Sequence, residues 1–386
     1  MLSRLQKFFT PKLETLNLVE ISASRFLDNL HYLDSLQDEN NALFPVLKSN
    51  AYGHGLKEIA KILQNTPVPY ICVDSFPEYQ IVKDYARKPS LIMGETLASN
   101  YKHYDPRWAV PVVYNKETIL TLKEMKKPFR IHLFLNTWMN REWVKKEDLV
   151  DILEILQESP HLQVEGVMSH LATADMVNDT LSAQQIKKFK DMFTLIQSYD
   201  FSPKRKHIWS SAWLVKIFDD FFNAWRSGIA LYGYNILDPK DKIWDAFDSL
   251  KPILRIKSKV VSVQKIYQWD QVWYGNQFVA SKDMRVASIP FWYHEWLNRK
   301  LANQRKVKWK DGSGKVHFLP VVWMISMNYT SFDTLGFDVD KGDEIEVISR
   351  NPSDPNTIQN FANIIWTIPY EVLVNIDPKM RRKVVM

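Results

Sequence analysis

The sequence predicts an α/β protein in which an N-terminal (β/α)8 barrel of the TIM type is followed by a C-terminal, mostly-β domain. Up to about residue 245, short apolar runs alternate with segments of helical periodicity, which is the pattern of a barrel of parallel strands. Beyond that point, β-branched runs separated by turns such as Asp311-Gly312 replace the alternation. We therefore expect an extension at 1–15, the barrel at 16–245 and the β domain at 246–386.

The individual elements follow from this periodicity. The barrel is expected to open with an amphipathic helix over 16–36, where apolar residues recur at helical spacing. The eight apolar runs that we interpret as strands are Leu43–Leu47, Pro69–Val73, Ser90–Met93, Ala109–Val113, Arg130–Leu135, Val164–Ser169, His207–Ser211 and Gly228–Leu231. The helical segments between them are Leu56–Gln64, Pro77–Ala86, Lys116–Met125, Lys146–Gln157 and Thr180–Ser198. The strands expected in the second domain are Ile253–Ile266, Val272–Phe278, Arg285–Phe291, Val316–Val322 and Asp343–Ile348, with a helix near Thr357–Ile365.

Composition limits the partners. The net charge of +6 over 386 residues is mild and the basic residues are dispersed, so no nucleic-acid partner is expected. No apolar run approaches the roughly 20 residues of a membrane span, so no membrane partner is expected. The single cysteine, Cys72, lies in an apolar run, which favours a core position and a reducing, cytoplasmic location. The basic opening segment lacks the long apolar stretch and cleavage site of a signal peptide, so we expect a short extension there.

One stretch, Leu43 to Gly55, joins an apolar run of strand length to a polar turn that contains glycine, and Lys48 stands at the junction. A lysine at the end of a buried strand is costly unless its charge is paired or its amine is used chemically. Partial desolvation lowers the pKa of a lysine and frees the amine to form a Schiff base with an aldehyde. The alternative is a lysine that extends its amine into solvent, and spacing alone leaves both open.

If the barrel is correct, active-site groups are expected where each strand ends and its loop begins. The fifth predicted strand runs into Asn136–Arg141, the sixth ends at Ser169-His170, the seventh ends at Ser210-Ser211, and Arg226 precedes the eighth. Each group alone is weak evidence, because such residues are usually solvated loop residues. Together on one rim, lysine, arginine, histidine and hydroxyl groups suit an anionic, aromatic cofactor.

These stretches resemble the motifs of the alanine racemase family, a fold type III family of pyridoxal-phosphate enzymes. Leu43–Gly55 resembles the family's pyridoxal-phosphate lysine motif, and Asn136–Arg141 is similar to D-T-G-M-x-R. The further matches are Gly166–Asp175 with G-x-x-[ST]-H-x-A-x-A-D, Arg226–Gly233 with R-P-G-I-x-L-Y-G, Val272–Gly275 with V-[GS]-Y-G, and Thr367–Glu371 with T-I-P-Y-E. They keep the family order from about residue 17 to residue 377.

The resemblance implies a racemase that uses pyridoxal 5'-phosphate. Lys48 is expected to hold the cofactor covalently and to act on one face of the substrate α-carbon, with Tyr274 of the partner subunit on the other. Racemisation needs two acid/base groups on opposite faces. Because the resemblance places Tyr274 in the partner subunit, it also implies a homodimer with shared active sites. The expected product is D-alanine for peptidoglycan, made in the bacterial cytoplasm.

The same resemblance assigns the residues around the cofactor. Arg226 is expected to face the pyridine nitrogen, where it leaves the ring largely unprotonated and restricts side reactions such as transamination. His170 is expected to orient Arg226, and Arg141 to contact the cofactor's phenolic oxygen and the substrate. The expected phosphate-binding groups are Tyr52, Ser211, Tyr370 and the backbone amides of Gly228 and Ile229. Tyr293 and Met327 match positions at the substrate entrance and carboxylate pocket.

Three alternatives stay open. Asn328 stands where the family has an aspartate near the substrate gate, so serine or another small amino acid is an alternative substrate. A decarboxylase of the same architecture is disfavoured by Arg226. Outside the enzymes, the alternative is a non-catalytic pyridoxal-phosphate carrier whose tryptophans fill the substrate space.

Tryptophan stands at many positions where the family has glycine. Glycine numbers 11 of 386 residues, about 3% against a usual level of about 7%, whereas tryptophan numbers 14. The tryptophans concerned are Trp138, Trp143, Trp269, Trp273, Trp292, Trp296, Trp323 and Trp366. Because tryptophan overpacks such sites, we interpret them as a translation artefact, in which a UGA codon that the source reads as glycine is written as tryptophan. A decayed or engineered chain is the alternative.

Overall fold

The computed structural model describes residues 14–141, 143–174, 176–208, 211, 215–216, 219–235, 237–271, 279–291, 293–295, 298–322 and 329–386. The chain packs into two compact units, one formed by the described residues up to Ile21 with Leu254–Val385, and the other by Ser22–Ile253. The sequence placed these boundaries at 15/16 and 245/246. A short N-terminal strand accounts for the first difference, because it pairs within the sheet of the C-terminal unit.

Strands alternate with helices through the first unit and predominate in the second. In chain order the elements begin with β1 (Leu18–Ser22), α1 (Ala23–Ser35), β2 (Ala42–Pro45), α2 (Lys48–Tyr52), α3 (Leu56–Leu63), β3 (Ile71–Val73), α4 (Phe76–Tyr85), β4 (Ser90–Ile92), β5 (Ala109–Val113), α5 (Lys116–Met125), β6 (Arg130–Phe134), α6 (Lys146–Gln157), β7 (Gln163–Met168), α7 (Ser182–Gln197), β8 (Arg205–His207) and β9 (Ala224–Ser227). They continue with β10 (Leu254–Lys259), β11 (Ser262–Ile266), β12 (Met284–Ile289), β13 (Lys306–Lys310), β14 (Val316–Pro320), β15 (Thr330–Asp333), β16 (Glu344–Ile348), α8 (Ile358–Ile365), α9 (Pro369–Val374) and β17 (Arg382–Val385). Among the described residues, no helix has both the length and the apolar character needed to cross a bilayer.

The first unit contains the predicted barrel of eight parallel strands. β3 to β8 form one parallel sheet in chain order, and β2 pairs in parallel with β9. A parallel bridge between Val46 and Cys72 joins β2 to β3. The Asn223 amide donates to the Lys206 carbonyl at 3.1 Å and links β8 to β9. The strands therefore curve into a ring whose carboxyl ends share one rim, which is where barrels carry their functional groups.

Most of the barrel strands are buried on both faces. All five residues of β5 are buried, as expected for a parallel strand covered by helices. Cys72 in β3 is fully buried, and burial raises the pKa of its thiol to about 12. The expectation that this cysteine belongs to the core is confirmed.

The helix predicted from residue 16 was wrong over its first residues, which form strand β1. Val19 and Ile21 flank Glu20 with the two-residue period of a strand. Ser22 then caps α1, because its hydroxyl accepts a hydrogen bond from the Arg25 amide at 3.4 Å. A cap inside the apolar pattern therefore separates two elements that periodicity alone had joined.

The last two barrel strands lie earlier in the chain than predicted. β8 ends at His207, where the seventh strand was expected to begin, and β9 ends at Ser227, just before the expected eighth strand. The run Gly228–Leu231 instead enters a 3-10 helix, Ile229–Tyr232. Short apolar runs do not distinguish a buried strand from a buried helical turn.

The C-terminal unit is mostly β, as predicted. Its larger sheet has the strand order β14-β13-β16-β10-β1-β17, and its smaller sheet has the order β11-β12-β15. The single strand expected over Ile253–Ile266 is two strands, β10 and β11, which belong to different sheets. The strand expected over Val272–Phe278 lies outside the described residues.

Two tryptophans adopt the left-handed backbone conformation that favours glycine. Trp269 has φ 76° in the loop after β11, and Trp366 has φ 61° at the end of α8. Trp143, in contrast, is buried and stacks on Phe134 with ring centroids 4.1 Å apart. The fold thus accommodates Trp143, whereas it holds Trp269 and Trp366 in a conformation that disfavours any side chain.

Candidate active site

Lys48 lies on the carboxyl rim of the barrel, at the start of a left-handed turn. The three residues that follow it have φ of 55°, 56° and 53° and ψ of 51°, 45° and 51°. Tyr52 continues the turn with φ 51°. None of these four residues is glycine, and each costs roughly 1–2 kcal/mol in this conformation. Such strain persists only where the surrounding structure fixes the backbone, and it is concentrated at functional sites.

Hydrogen bonds from both sides hold this turn. The Gly53 amide donates to the Ser49 carbonyl at 3.0 Å, and the Asn50 side chain accepts from the Leu56 amide at 2.8 Å. The carboxylate of Glu78, in α4, accepts from the Asn50 amide at 3.3 Å. The turn is therefore fastened to the helices that follow it, which offsets its backbone strain.

Tyr232 and His54 pack against each other and hydrogen-bond to the backbone at the turn. The Tyr232 hydroxyl donates to the Val46 carbonyl at 3.0 Å, and its ring stacks on the His54 ring with centroids 4.4 Å apart. His54 Nδ1 lies 2.9 Å from the Tyr52 carbonyl, so this nitrogen carries the proton and donates. Sequence reasoning missed both side chains, although each stands inside a quoted motif.

The Lys48 amine is ion-paired. Its Nζ lies 3.7 Å from Oδ2 of Asp74, and both side chains are partly exposed. Asp74 directly follows β3, so the rule that places functional groups at strand ends would have found it. The amine is therefore accessible from the rim, with one carboxylate beside it.

Arg226, in β9, is buried and bonded to neutral acceptors. Its Nη1 donates to Nδ1 of His207 at 2.5 Å and to the His207 carbonyl at 3.3 Å, and its Nη2 donates to the Ser169 carbonyl at 2.6 Å. Nη2 also lies 3.5 Å from Nδ1 of His170. Burial lowers the pKa of Arg226 to about 10. The guanidinium is thus still charged near neutral pH, and none of the partners named here is a carboxylate.

His170 lies among the cationic groups of the rim. Burial lowers the pKa of its imidazole to about 3, and the positive charges of Arg226, Lys48 and Arg141 lower it further. Gln185, from α7, donates to the His170 carbonyl at 2.9 Å and fixes the backbone there. Four residues assigned from the sequence therefore lie around one point of the rim.

A second group of assigned residues meets at the start of the 3-10 helix. A Cβ atom added to Gly228 would overlap the hydroxyl of Tyr52 and lie 3.0 Å from its Cζ. Ser211 Oγ and Ser227 Oγ are 2.9 Å apart and buried. Only glycine leaves this space beside the tyrosine hydroxyl, and hydroxyl groups with turn amides are typical of phosphate sites.

Arg141 is exposed at the end of the loop after β6. Its guanidinium carbon lies 5.8 Å above the ring of Trp143, within cation–π range, and that ring stacks on Phe134. The aromatic pair therefore supports Arg141 at the rim.

Four further site residues were assigned from the sequence. Tyr274 and Met327 lie outside the described residues. Tyr293 is exposed in a short 3-10 helix, and Tyr370 is the second residue of α9; both belong to the C-terminal unit. Their roles remain predictions.

Two buried histidines were missed by the sequence reasoning. His207 ends β8 and accepts from Arg226, and its Nε2 lies 2.8 Å from Nδ1 of His132 in β6. His132 interrupts the apolar run Ile131–Leu133, and a histidine at such a position was the available signal. Only the barrel topology shows that the two meet.

Comparison with known proteins agrees with this geometry. Residues 21–236 match a family model described as alanine racemase, N-terminal domain, and residues 253–384 match the alanine racemase C-terminal domain. Alanine racemase 2 of Caldanaerobacter subterraneus subsp. tengcongensis is 26% identical over 371 residues, which are 94% of this chain and 93% of that protein. Alanine racemase of Clostridium kluyveri is 28% identical over 364 residues, 92% of this chain and 91% of the relative.

Solved structures match over nearly the whole chain. Alanine racemase of Clostridium difficile 630 superposes with a TM-score of 0.86 at 25% identity and covers 97% of both chains. Alanine racemase from Bartonella henselae, solved with covalently bound pyridoxal phosphate, has a TM-score of 0.80 at 20% identity and covers 96% of this chain and 100% of its own. The second likeness shows the shared fold.

Proposed function

The chain belongs to the alanine racemase family, and we propose that it interconverts L-alanine and D-alanine by a two-base mechanism in which Lys48 is one base. It is a pyridoxal-phosphate-dependent enzyme of that family. The observation that carries the proposal is the strained turn that presents the Lys48 amine at the rim, where its charge and that of the buried Arg226 both act on His170.

The residues of the rim fit pyridoxal phosphate. The space beside Gly228, which a Cβ would fill, lies against the Tyr52 hydroxyl and next to Ser227, itself bonded to Ser211. In our proposal these hydroxyl groups hold the phosphate together with the amides of Gly228 and Ile229. Tyr370 would contribute a further hydroxyl group. When bound, the cofactor withdraws electrons from the substrate α-carbon and makes its proton easier to remove.

Arg226 would face the pyridine nitrogen and donate a hydrogen bond to it. With a pKa of about 10 and only neutral acceptors among its described partners, the guanidinium keeps its proton near neutral pH. A hydrogen bond supports less electron withdrawal than full protonation by a carboxylic acid would. This limited withdrawal favours return of the proton to the α-carbon over side reactions such as transamination.

Lys48 and Tyr274 would move the proton. The Lys48 Nζ would take or give the α-proton on one face. The partner subunit's Tyr274 would serve the opposite face, which makes the active site complete only in a homodimer. Arg141 would contact the cofactor's phenolic oxygen and the substrate carboxylate, with Tyr293 and Met327 at the entrance.

The physiological role follows from the product. D-Alanine is a building block of peptidoglycan, and we propose that the enzyme supplies it in the bacterial cytoplasm.

Covalent labelling and chiral analysis test the proposal. Borohydride reduction of the holoenzyme should fix the cofactor on Lys48, and Lys48→Ala should lose the visible absorbance of the bound cofactor. Lys57→Ala, at an exposed lysine of α3, is the matched control. Purified enzyme should racemise alanine faster than serine; faster racemisation of serine would reassign the substrate. A protein that binds the cofactor on Lys48 and racemises neither amino acid would be a carrier, and the proposal would be wrong.

A further inference from the structure

We propose that His132 is a positioning residue that acts through His207: by accepting the His207 Nε2–H, it holds the His207 ring where its Nδ1 receives the Arg226 donor. The inference rests on the proposed function in one respect, namely that Arg226 faces the cofactor. In the strand register His132 is level with Arg205, two residues further from the rim than His207, and it touches neither cofactor nor substrate in this scheme.

The three side chains form a buried chain of hydrogen bonds. Arg226 Nη1 lies 2.5 Å from His207 Nδ1, and His207 Nε2 lies 2.8 Å from His132 Nδ1. Both histidines are fully buried, and Arg226 is 6% exposed. They come from three barrel strands, β9, β8 and β6, so this series of hydrogen bonds crosses the interior of the barrel.

The direction of every bond in this chain is determined. A guanidinium has donors only, so His207 Nδ1 must accept. A neutral His207 then carries its proton on Nε2 and donates to His132 Nδ1, which places the His132 proton on Nε2. Burial and the nearby charge of Arg226 lower the pKa of both imidazoles, that of His132 to about 3, and keep them neutral.

Arg226 sets this tautomer of His207, and His132 supplies the acceptor that its Nε2–H needs. Without that acceptor the buried Nε2–H would be left unsatisfied. The tautomer would stay the same, but the His207 ring would no longer be held at both nitrogens and could turn away from Arg226. Arg226 would lose its acceptor, and the donor that faces the ring nitrogen would no longer be held in place.

Gly166, on β7, leaves the space that the His132 ring occupies. A Cβ on Gly166 would overlap the His132 ring and lie 2.5 Å from its Nδ1, the atom that accepts from His207. The edges of the Tyr70 and Phe44 rings pack against the two imidazoles, with centroids 5.9 Å from His132 and 5.3 Å from His207. The first glycine of the quoted motif Gly166–Asp175 thus has a role: it leaves space for the histidine pair.

Nitrogen NMR of the holoenzyme, labelled with ¹⁵N at its histidines, tests the proposal without any substitution. Two-bond correlations distinguish the two tautomers and the charged form of each imidazole. We expect His207 and His132 both to be neutral with the proton on Nε2 from about pH 6 to 9. A proton on Nδ1 of His207, or a charged imidazole in this range, would overturn the proposal.

Variants then separate positioning from packing. His132→Leu removes the acceptor, whereas His132→Gln offers its amide oxygen in the same place. Gly166→Ala should displace the His132 ring and reproduce the effect of His132→Leu, and Gly312→Ala, whose Cβ meets nothing within 4 Å, is the control. With His132→Leu we expect shifted and broadened nitrogen signals from a less restrained His207 ring, and a shift in the visible spectrum of the bound cofactor.

The same variants should change the ratio of transamination to racemisation. In transamination the substrate's amino group stays on the cofactor and the substrate leaves as the 2-oxo acid. We expect this outcome, counted as pyridoxamine phosphate formed per racemisation, to rise about tenfold in His132→Leu and to return towards wild type in His132→Gln. Unchanged His207 nitrogen signals and an unchanged ratio in a folded His132→Leu protein would overturn the proposal. If the protein lacks racemase activity altogether, the nitrogen NMR measurement still stands and identifies that failure separately.

Discussion

Replacing Trp366 by glycine should stabilise the protein, although it removes the largest side chain. Trp366 follows α8 in the left-handed conformation with φ 61°, and its side chain is 91% exposed. Its amide still donates to the Asn363 carbonyl at 3.4 Å, a bond that glycine would keep. Helices that end in this way usually carry glycine at this position.

The magnitude follows from the geometry. A non-glycine residue in this conformation costs roughly 1–2 kcal/mol, against which glycine's greater freedom in the unfolded chain costs about 0.5–1 kcal/mol. Because the side chain is exposed, little burial is lost, and Trp366→Gly should gain about 1 kcal/mol. Trp269→Gly, at φ 76° and 72% exposed, should gain a similar amount, and the double variant about 2 kcal/mol.

Urea unfolding followed by far-ultraviolet circular dichroism measures these gains. Trp309→Gly is the contrasting control, since Trp309 is 6% exposed and its Nε1 donates to Asp343 at 3.0 Å; it should lose about 3–5 kcal/mol. A loss of stability in both Trp366→Gly and Trp269→Gly would refute the reasoning. A gain would support glycine as the residue these turns require, and peptide mass spectrometry of the naturally produced protein would then decide whether Trp366 is written in place of glycine.

Two further predictions concern the buried side chains of the barrel. His132 is protonated near pH 6.5 in the unfolded chain but only near pH 3 in the folded chain. Its contribution to stability is therefore complete above pH 6.5 and is lost as the pH falls below that value. Lowering the pH from about 7.5 to 5.5 should reduce the free energy of unfolding by about 1.4 kcal/mol through this histidine. Urea unfolding at the two pH values should show that His132→Gln lacks this part of the pH dependence, and equal dependence in both proteins would contradict the pKa assigned to His132. Gly228→Ala should weaken cofactor binding about ten- to hundredfold in an absorbance titration, because its Cβ meets the Tyr52 hydroxyl, whereas Gly312→Ala should not.

Much of the barrel was predictable because its strands are short apolar runs between clear helices. β5 was placed at its exact bounds, Ala109–Val113. The errors occurred where local patterns are ambiguous: Ser22 ends a strand and caps a helix at once, and the apolar run after Gly228 forms a 3-10 helix. Neither feature leaves a periodic signal.

The candidate site was predictable as a set of residues, but its supports were not. The left-handed turn at Ser49–Tyr52 contains no glycine, so no residue type marks it. His132 and His207 are 75 positions apart and meet only because β6 and β8 face the same interior. A single sequence shows which side chains are present, and only the closed barrel shows which of them touch.

Exchange of the alanine α-proton in deuterated water tests the central claim most directly. The enzyme as isolated, loaded with pyridoxal phosphate, should incorporate deuterium from both enantiomers, and Lys48→Ala should incorporate none. Tyr274→Phe should stop incorporation that begins from one enantiomer and spare the other, as two bases on opposite faces require. Cofactor bound at Lys48 without deuterium entering either enantiomer would contradict the account.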